Sequence, residues 1–125
     1  MDRSILLVGI GGSIGSVARY LVGVVLAGYT SSSFPYATLL VNVAGCFLIG
    51  VIFALSDRGS LLSPEWRILL TTGFCGGFTT FSTFSYESLR LMQDGELLYL
   101  AAYIFGSLLL GLAATYVGIL LVRSL

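Results

Sequence analysis

The stretch TTGFCGGFTTFSTFSYE, residues 71–87, lies where an apolar chain should cross a membrane, yet it crowds glycines, hydroxyls and phenylalanines together and ends on a carboxylate. Gly73, Gly76 and Gly77 each cost about 1 kcal/mol relative to alanine inside a helix, and Thr79 and Thr80 follow at once. A helix broken across Gly76 to Thr79 is the economical expectation. Broken backbone at membrane depth survives only where protein or a water-filled cavity satisfies its polar groups. Carbonyls exposed there would suit a small hard cation such as Na⁺. Beyond the break, at about 100° per residue, Phe81, Phe84, Ser85 and Ser88 fall on one helix face. Ring edges are electropositive and hydroxyls donate, so this face suits a small anion. The plainer alternative is a core stripe with incidental serines.

The rest of the chain sets that stretch in a bilayer. Of 125 residues, 57% are hydrophobic and 10% charged, histidine is absent, and the mean hydropathy is +1.00, values outside the range of soluble domains. A hydrocarbon core about 30 Å thick needs roughly 20 apolar residues per helix. Four segments qualify: Ser4 to Gly28, Tyr36 to Ser56, Trp66 to Leu91 and Leu97 to Val122. They predict an all-α membrane protein, a single four-helix domain over residues 1–125 with the third helix broken. The first segment is longer than a signal-peptide core and is read as retained. Cys46 and Cys75 fall inside spans, where a thiol packs as a small hydrophobe, so no disulfide or metal framework is implied.

Charge sets little orientation. Arg3, Arg58, Arg67 and Arg123 are expected on one side, Arg90 and Arg19 toward the other, and the formal net charge is +0. So weak a bias leaves dual insertion, and an antiparallel dimer, open. Nucleic acid is not an expected partner.

Individual motifs carry two readings each. GIGGSIGSVARY, residues 9–20, lacks the third glycine and the preceding strand of a dinucleotide loop, so Gly11 and Gly15 read as a ridge for close helix approach. Arg19, inside a span, must snorkel, pair or line water, as a structural anchor or as positive potential at an aqueous mouth. Asn42 in TLLVNVAGCFLIG needs partners across a helix interface or in a wet pathway. Tyr103, Ser107, Gly111 and Thr115 form a stripe at helical spacing, either packing or pathway, and Gly111 supplies no donor. Glu87 is placed near a mouth, as a vestibule group or an interfacial anchor. Ser63 before Pro64 reads as a helix cap.

GIGGSIGSVARY, TLLVNVAGCFLIG, GFCGGFTTFSTFSYE and the tyrosine of LAAYIFGS together resemble, in order and spacing, the small fluoride channel family of microbes. The match spans all four segments. It implies an antiparallel, dual-topology homodimer in the cell inner membrane, with two fluoride pores and a structural Na⁺ at the dimer interface. Phe81 and Phe84 would be the pore phenylalanines, joined by Ser85 on their face, and Asn42 the pore amide. Tyr103, Ser107 and Thr115 would form a polar track, Arg19 and Glu87 the vestibule, and the Gly76 and Thr79 carbonyls the Na⁺ ligands. A small multidrug/proton antiporter is the first rival, but it needs a membrane carboxylate that the first span lacks. A structural membrane subunit is the second. An enzyme is least favoured, since the serines lack an evident general base.

Overall fold

In hydrocarbon, backbone amides must be satisfied within their own segment, so long apolar runs become helices. The computed structural model describes residues 2–59 and 61–125 and contains no strand among them. Among the described residues, three helices are long and apolar enough to cross a membrane: α1 (Arg3–Ala27), α2 (Tyr36–Asp57) and α6 (Leu97–Arg123). They reproduce three of the four expected segments almost residue for residue. Asp2 caps α1 by accepting from Ser4 N at 3.2 Å.

The remaining segment is subdivided. Ser63 Oγ accepts from Trp66 N at 3.2 Å and Pro64 opens the short helix α3 (Pro64–Ile68), as the sequence predicts. The turns then widen into a π-helical stretch, Leu69–Cys75, and tighten again in α4 (Gly76–Phe78). Thr79 and Thr80 are extended, with φ, ψ of −96°, 163° and −154°, 123°, and α5 (Phe81–Gln93) follows. The break therefore falls on the two threonines rather than across Gly76 to Thr79. β-Branched threonine loses side-chain freedom in a helix and fits extended backbone, and Thr80 Oγ1 caps α5 by accepting from Thr83 N at 3.2 Å. At the far end of α5, Gly95 takes φ 76° in a Schellman turn, with Glu96 N on Leu91 O at 2.9 Å and Gly95 N on Met92 O at 3.2 Å.

Two of the glycines that suggested the break, Gly73 and Gly77, serve packing instead. A Cβ on Gly11 would strike the Leu69 carbonyl and lie 2.9 Å from Phe74 N, and one on Gly15 would strike the Phe74 carbonyl. From the facing side, a Cβ on Gly77 would strike the Gly12 carbonyl. This seam joins α1 to the π-helical stretch and α4. A second seam joins α2 to α6, where Gly50 faces the Thr115 carbonyl and Gly118 the Phe47 carbonyl, with Val51 N at 3.0 Å. Gly111 belongs to it too, since its Cβ would meet Cys46 Sγ at 3.3 Å. Without a hydrophobic force between helices in lipid, such backbone contact is a main source of association.

Gly118→Ala is expected to lower the unfolding midpoint in detergent, because overpacking at a backbone contact costs about 1–3 kcal/mol. Gly9→Ala, with nothing near its Cβ, is expected to be neutral or stabilising. Equal shifts for the two variants would contradict the seam.

Candidate functional site

The extended residues at the break must find hydrogen-bond partners outside their own helix, and α2 supplies them. Asn42 Oδ1 accepts from Thr80 N at 2.8 Å while Asn42 Nδ2 donates to Thr80 O at 3.1 Å. One amide side chain thus pairs with both polar groups of one backbone residue. One turn further along α2, Gly45 leaves room for the Thr79 methyl, which a Cβ would strike. An amide nitrogen carries two hydrogens, and Thr80 O takes one. The second remains for a cavity of about 280 Å³ that Asn42 lines with Thr79, Thr80, Phe81, Phe84, Ser107 and Leu108. Among the described residues, no charged one lines it.

Ser107 completes the donor set. Helical hydroxyls commonly bond the carbonyl four residues back. Ser13, Ser56 and Thr71 do so on Gly9, Ile52 and Arg67. Ser107 Oγ instead is buried with no partner among the described residues, as is Ser88 Oγ. An unpaired buried hydroxyl costs about 1–3 kcal/mol, and Ser107 lines the same cavity as Asn42. The Phe81 and Phe84 rings lie 5.9 Å apart at 41° beside these donors.

Thr80 also lines a second cavity of about 380 Å³, whose wall includes Arg19, Thr38, Thr83 and Glu87. Arg19 Nε donates to Gly77 O at 3.1 Å, placing a cation at the carbonyl end of the interrupted helix. Glu87 Oε1 accepts from Tyr103 Oη at 2.9 Å, and the Tyr103 ring packs on Phe84 at 5.0 Å. The two cavities share Thr80 in their walls, with charged Arg19 and Glu87 lining one and uncharged Asn42 and Ser107 the other.

The break also leaves carbonyls exposed. In a continuous helix Gly76 O would receive Thr80 N, and Thr79 O would receive Thr83 N. Those amides are diverted to Asn42 Oδ1 and Thr80 Oγ1. Gly76 is exposed, with only Thr71 O, at 3.8 Å, near its Cβ position. Two carbonyls freed in this way suit a hard cation that takes oxygen ligands.

Of the residues expected from sequence, the structure gathers Asn42, Thr79, Phe81, Phe84 and Ser107 around one cavity and Arg19 and Glu87 around the other, with Tyr103 buried between Phe84 and Glu87. Two stand apart. Thr115 Oγ1 donates to Gly111 O at 3.1 Å and lines neither cavity, and Ser85 is exposed and lines neither. Thr38, Thr80 and Thr83 join the site without having been singled out. Thr38 lies one helical turn before Asn42, and a threonine directly before an amphipathic helix is a cap signal at Thr80.

Comparison with known proteins adds the following. A family model described as CrcB-like protein, Camphor Resistance (CrcB), matches residues 6–119. A protein of Chlorobium phaeobacteroides named fluoride-specific ion channel FluC is 52% identical over 120 residues, covering 96% of this chain and 93% of that protein. A protein of the same name from Chlorobaculum tepidum is 55% identical over 121 residues, covering 97% and 95%. One from Leptospira interrogans is 43% identical over 123 residues, covering 98% and 97%.

Asn42→Leu removes both bonds to Thr80 and strands a backbone donor and acceptor. We expect a loss of about 2 kcal/mol or more in stability, with new proteolytic sensitivity near residues 79–80. Wild-type stability would contradict the clamp.

Proposed function

The chain belongs to the CrcB-like family, and from that premise we infer that it is a fluoride-selective ion channel of the cell membrane. The observation that carries the reading is the Asn42 amide, left with a spare hydrogen by its pairing with Thr80, which shares with Ser107 a cavity that no charged residue lines among the described residues. Fluoride is small and strongly hydrated, so a pathway that strips its water must return close donors without holding the ion too tightly. An amide, a hydroxyl and the ring edges of Phe81 and Phe84 offer several weak contacts, and no full positive charge traps the ion there. Arg19 contributes positive potential at the neighbouring cavity, where anions would gather before reaching the donors.

One copy leaves this path open on a side. Phe81 is 80% exposed, and Gly76 has an open surface. A second copy in the opposite orientation would cover both, giving an antiparallel homodimer with two pores. In this reading the interrupted segment from Pro64 to Gln93 is the fourth crossing of the inner membrane. Ser85 and Thr115 would join the pathway only where the second copy completes it. The near-balanced arginine distribution supports insertion in both orientations.

The Gly76 and Thr79 carbonyls fit a structural Na⁺ at the dimer centre, with the same pair offered by each copy. Among the described residues no cluster of His, Cys, Asp or Glu could hold a metal, so backbone oxygen is the ligand that remains. When bound, such an ion would supply positive charge that draws carbonyls of the two copies together. Passive export through the pores would protect the cytoplasm from fluoride that enters as its weak acid.

The antiporter alternative lacks its carboxylate, since α1 contains no Asp or Glu. A purely structural subunit leaves the unpaired Ser107 hydroxyl and the spare Asn42 hydrogen without a purpose. Protein reconstituted in liposomes is expected to release fluoride passively and far faster than chloride. Phe81→Ile or Phe84→Ile, which removes ring edges, should slow release more than about tenfold. Absence of fluoride release from well-inserted wild-type protein would overturn the channel reading.

A further inference from the structure

Residues 29–35, YTSSSFP, join α1 to α2, and most are polar and exposed. Phe34 is half-buried. Its backbone is fixed from both sides: Ser32 N donates to Thr30 Oγ1 at 3.2 Å, and Phe34 N donates to Ser32 Oγ at 3.1 Å. Beyond it, Tyr36 N closes on Phe34 O at 2.9 Å around Pro35, whose φ of −83° and ψ of 71° form an inverse γ-turn. The ring is thus delivered from an anchored point rather than from a loose loop.

It lands on α6. Phe34 meets Tyr103 at 5.7 Å and 77° and Tyr99, one helical turn away, at 5.5 Å and 88°, both in edge-to-face geometry. Tyr36 flanks it at 4.7 Å. Tyr103 is completely buried; it also packs on Phe84, and its hydroxyl reaches Glu87. A tyrosine ring swings about two side-chain torsions, and with Phe34 removed its loop side would open.

We propose that Phe34 is a positioning residue for fluoride permeation: from outside the pore-lining cavities it wedges the Tyr103 ring so that the Tyr103 hydroxyl stays docked on Glu87 at the pore mouth. The inference rests on the channel reading above. Phe34 lines neither of the two cavities, and of the aromatic rings it touches, Tyr103 is the one that also packs on Phe84 and bonds Glu87. A side chain of similar bulk without ring edges would fill the space and still fail to hold the tyrosine.

The test is fluoride efflux from liposomes with matched amounts of inserted wild type, Phe34→Leu, Phe34→Tyr, Tyr103→Phe and the Phe34→Leu/Tyr103→Phe double variant. Phe34→Leu keeps the apolar bulk and so guards against simple misfolding. We expect it to slow efflux about five- to tenfold, with Phe34→Tyr within about twofold of wild type. Because both changes break the same hydroxyl placement, the double variant should be no slower than Tyr103→Phe alone. Efflux by Phe34→Leu at the wild-type rate, or effects that multiply in the double variant, would overturn the inference while the channel reading stands. Wild-type liposomes that release no fluoride would overturn both.

Discussion

A backbone interruption in hydrocarbon persists only if something takes over the hydrogen bonds its helix has given up, and at Thr80 a single side chain does so for both polar groups. Asn42 engages both polar groups of Thr80 from 38 residues away. Four consequences follow from that pairing. Thr80 is held extended and free to cap α5. The Gly76 carbonyl loses its amide. The second Asn42 hydrogen is aimed by the first. The phenylalanines of α5 start at a fixed depth beside Ser107. An amide suits this task because it donates and accepts at once, whereas a carboxylate would face the Thr80 carbonyl with like charge and an apolar residue would strand both groups.

Close helix approach makes the pairing reachable. α1 lies against the π-helical stretch with almost no side chains between the backbones, and α2 lies against α6 in the same manner. These two seams bring the break between α1 and α2, where Arg19 can reach the Gly77 carbonyl and Gly45 can receive the Thr79 methyl. The wide turns of Leu69–Cys75 present Gly73 and Phe74 to α1, and such π-helical turns often accompany functional sites. Charged Arg19 and Glu87 line one cavity and neutral Asn42 and Ser107 the other, which in the proposed channel would separate attracting an anion from accommodating it.

Much of this was legible in the residues. Apolar length located three helices and the interrupted segment, Ser63 and Pro64 marked a helix start, and the small-residue ridge at Gly11 and Gly15 announced a close seam. The position of the break was less accessible. Glycine propensity pointed to Gly76 and Gly77, but Gly77 is glycine for its contact with α1, and the β-branched threonines beyond them took the extended backbone. Hydroxyl spacing alone did not separate Ser107 from Thr115, because the difference lies in whether each bonds its own helix. The Asn42–Thr80 and Tyr103–Glu87 pairs join distant parts of the chain, and no local pattern encodes them. The resemblance to fluoride channels had already named three of those four residues; what the structure adds is how they are held.

The central claim is that Asn42 holds the break open and offers its remaining hydrogen to the permeating anion. An experimental structure of the membrane-embedded assembly, determined in fluoride and at a resolution that places small ions, tests it most directly. The account predicts Thr79 and Thr80 extended, Asn42 paired with Thr80, and anion density within hydrogen-bond distance of Asn42 Nδ2 beside the Phe81 and Phe84 ring edges. A continuous helix through residues 79–80, or an anion held elsewhere with Asn42 turned away, would contradict it.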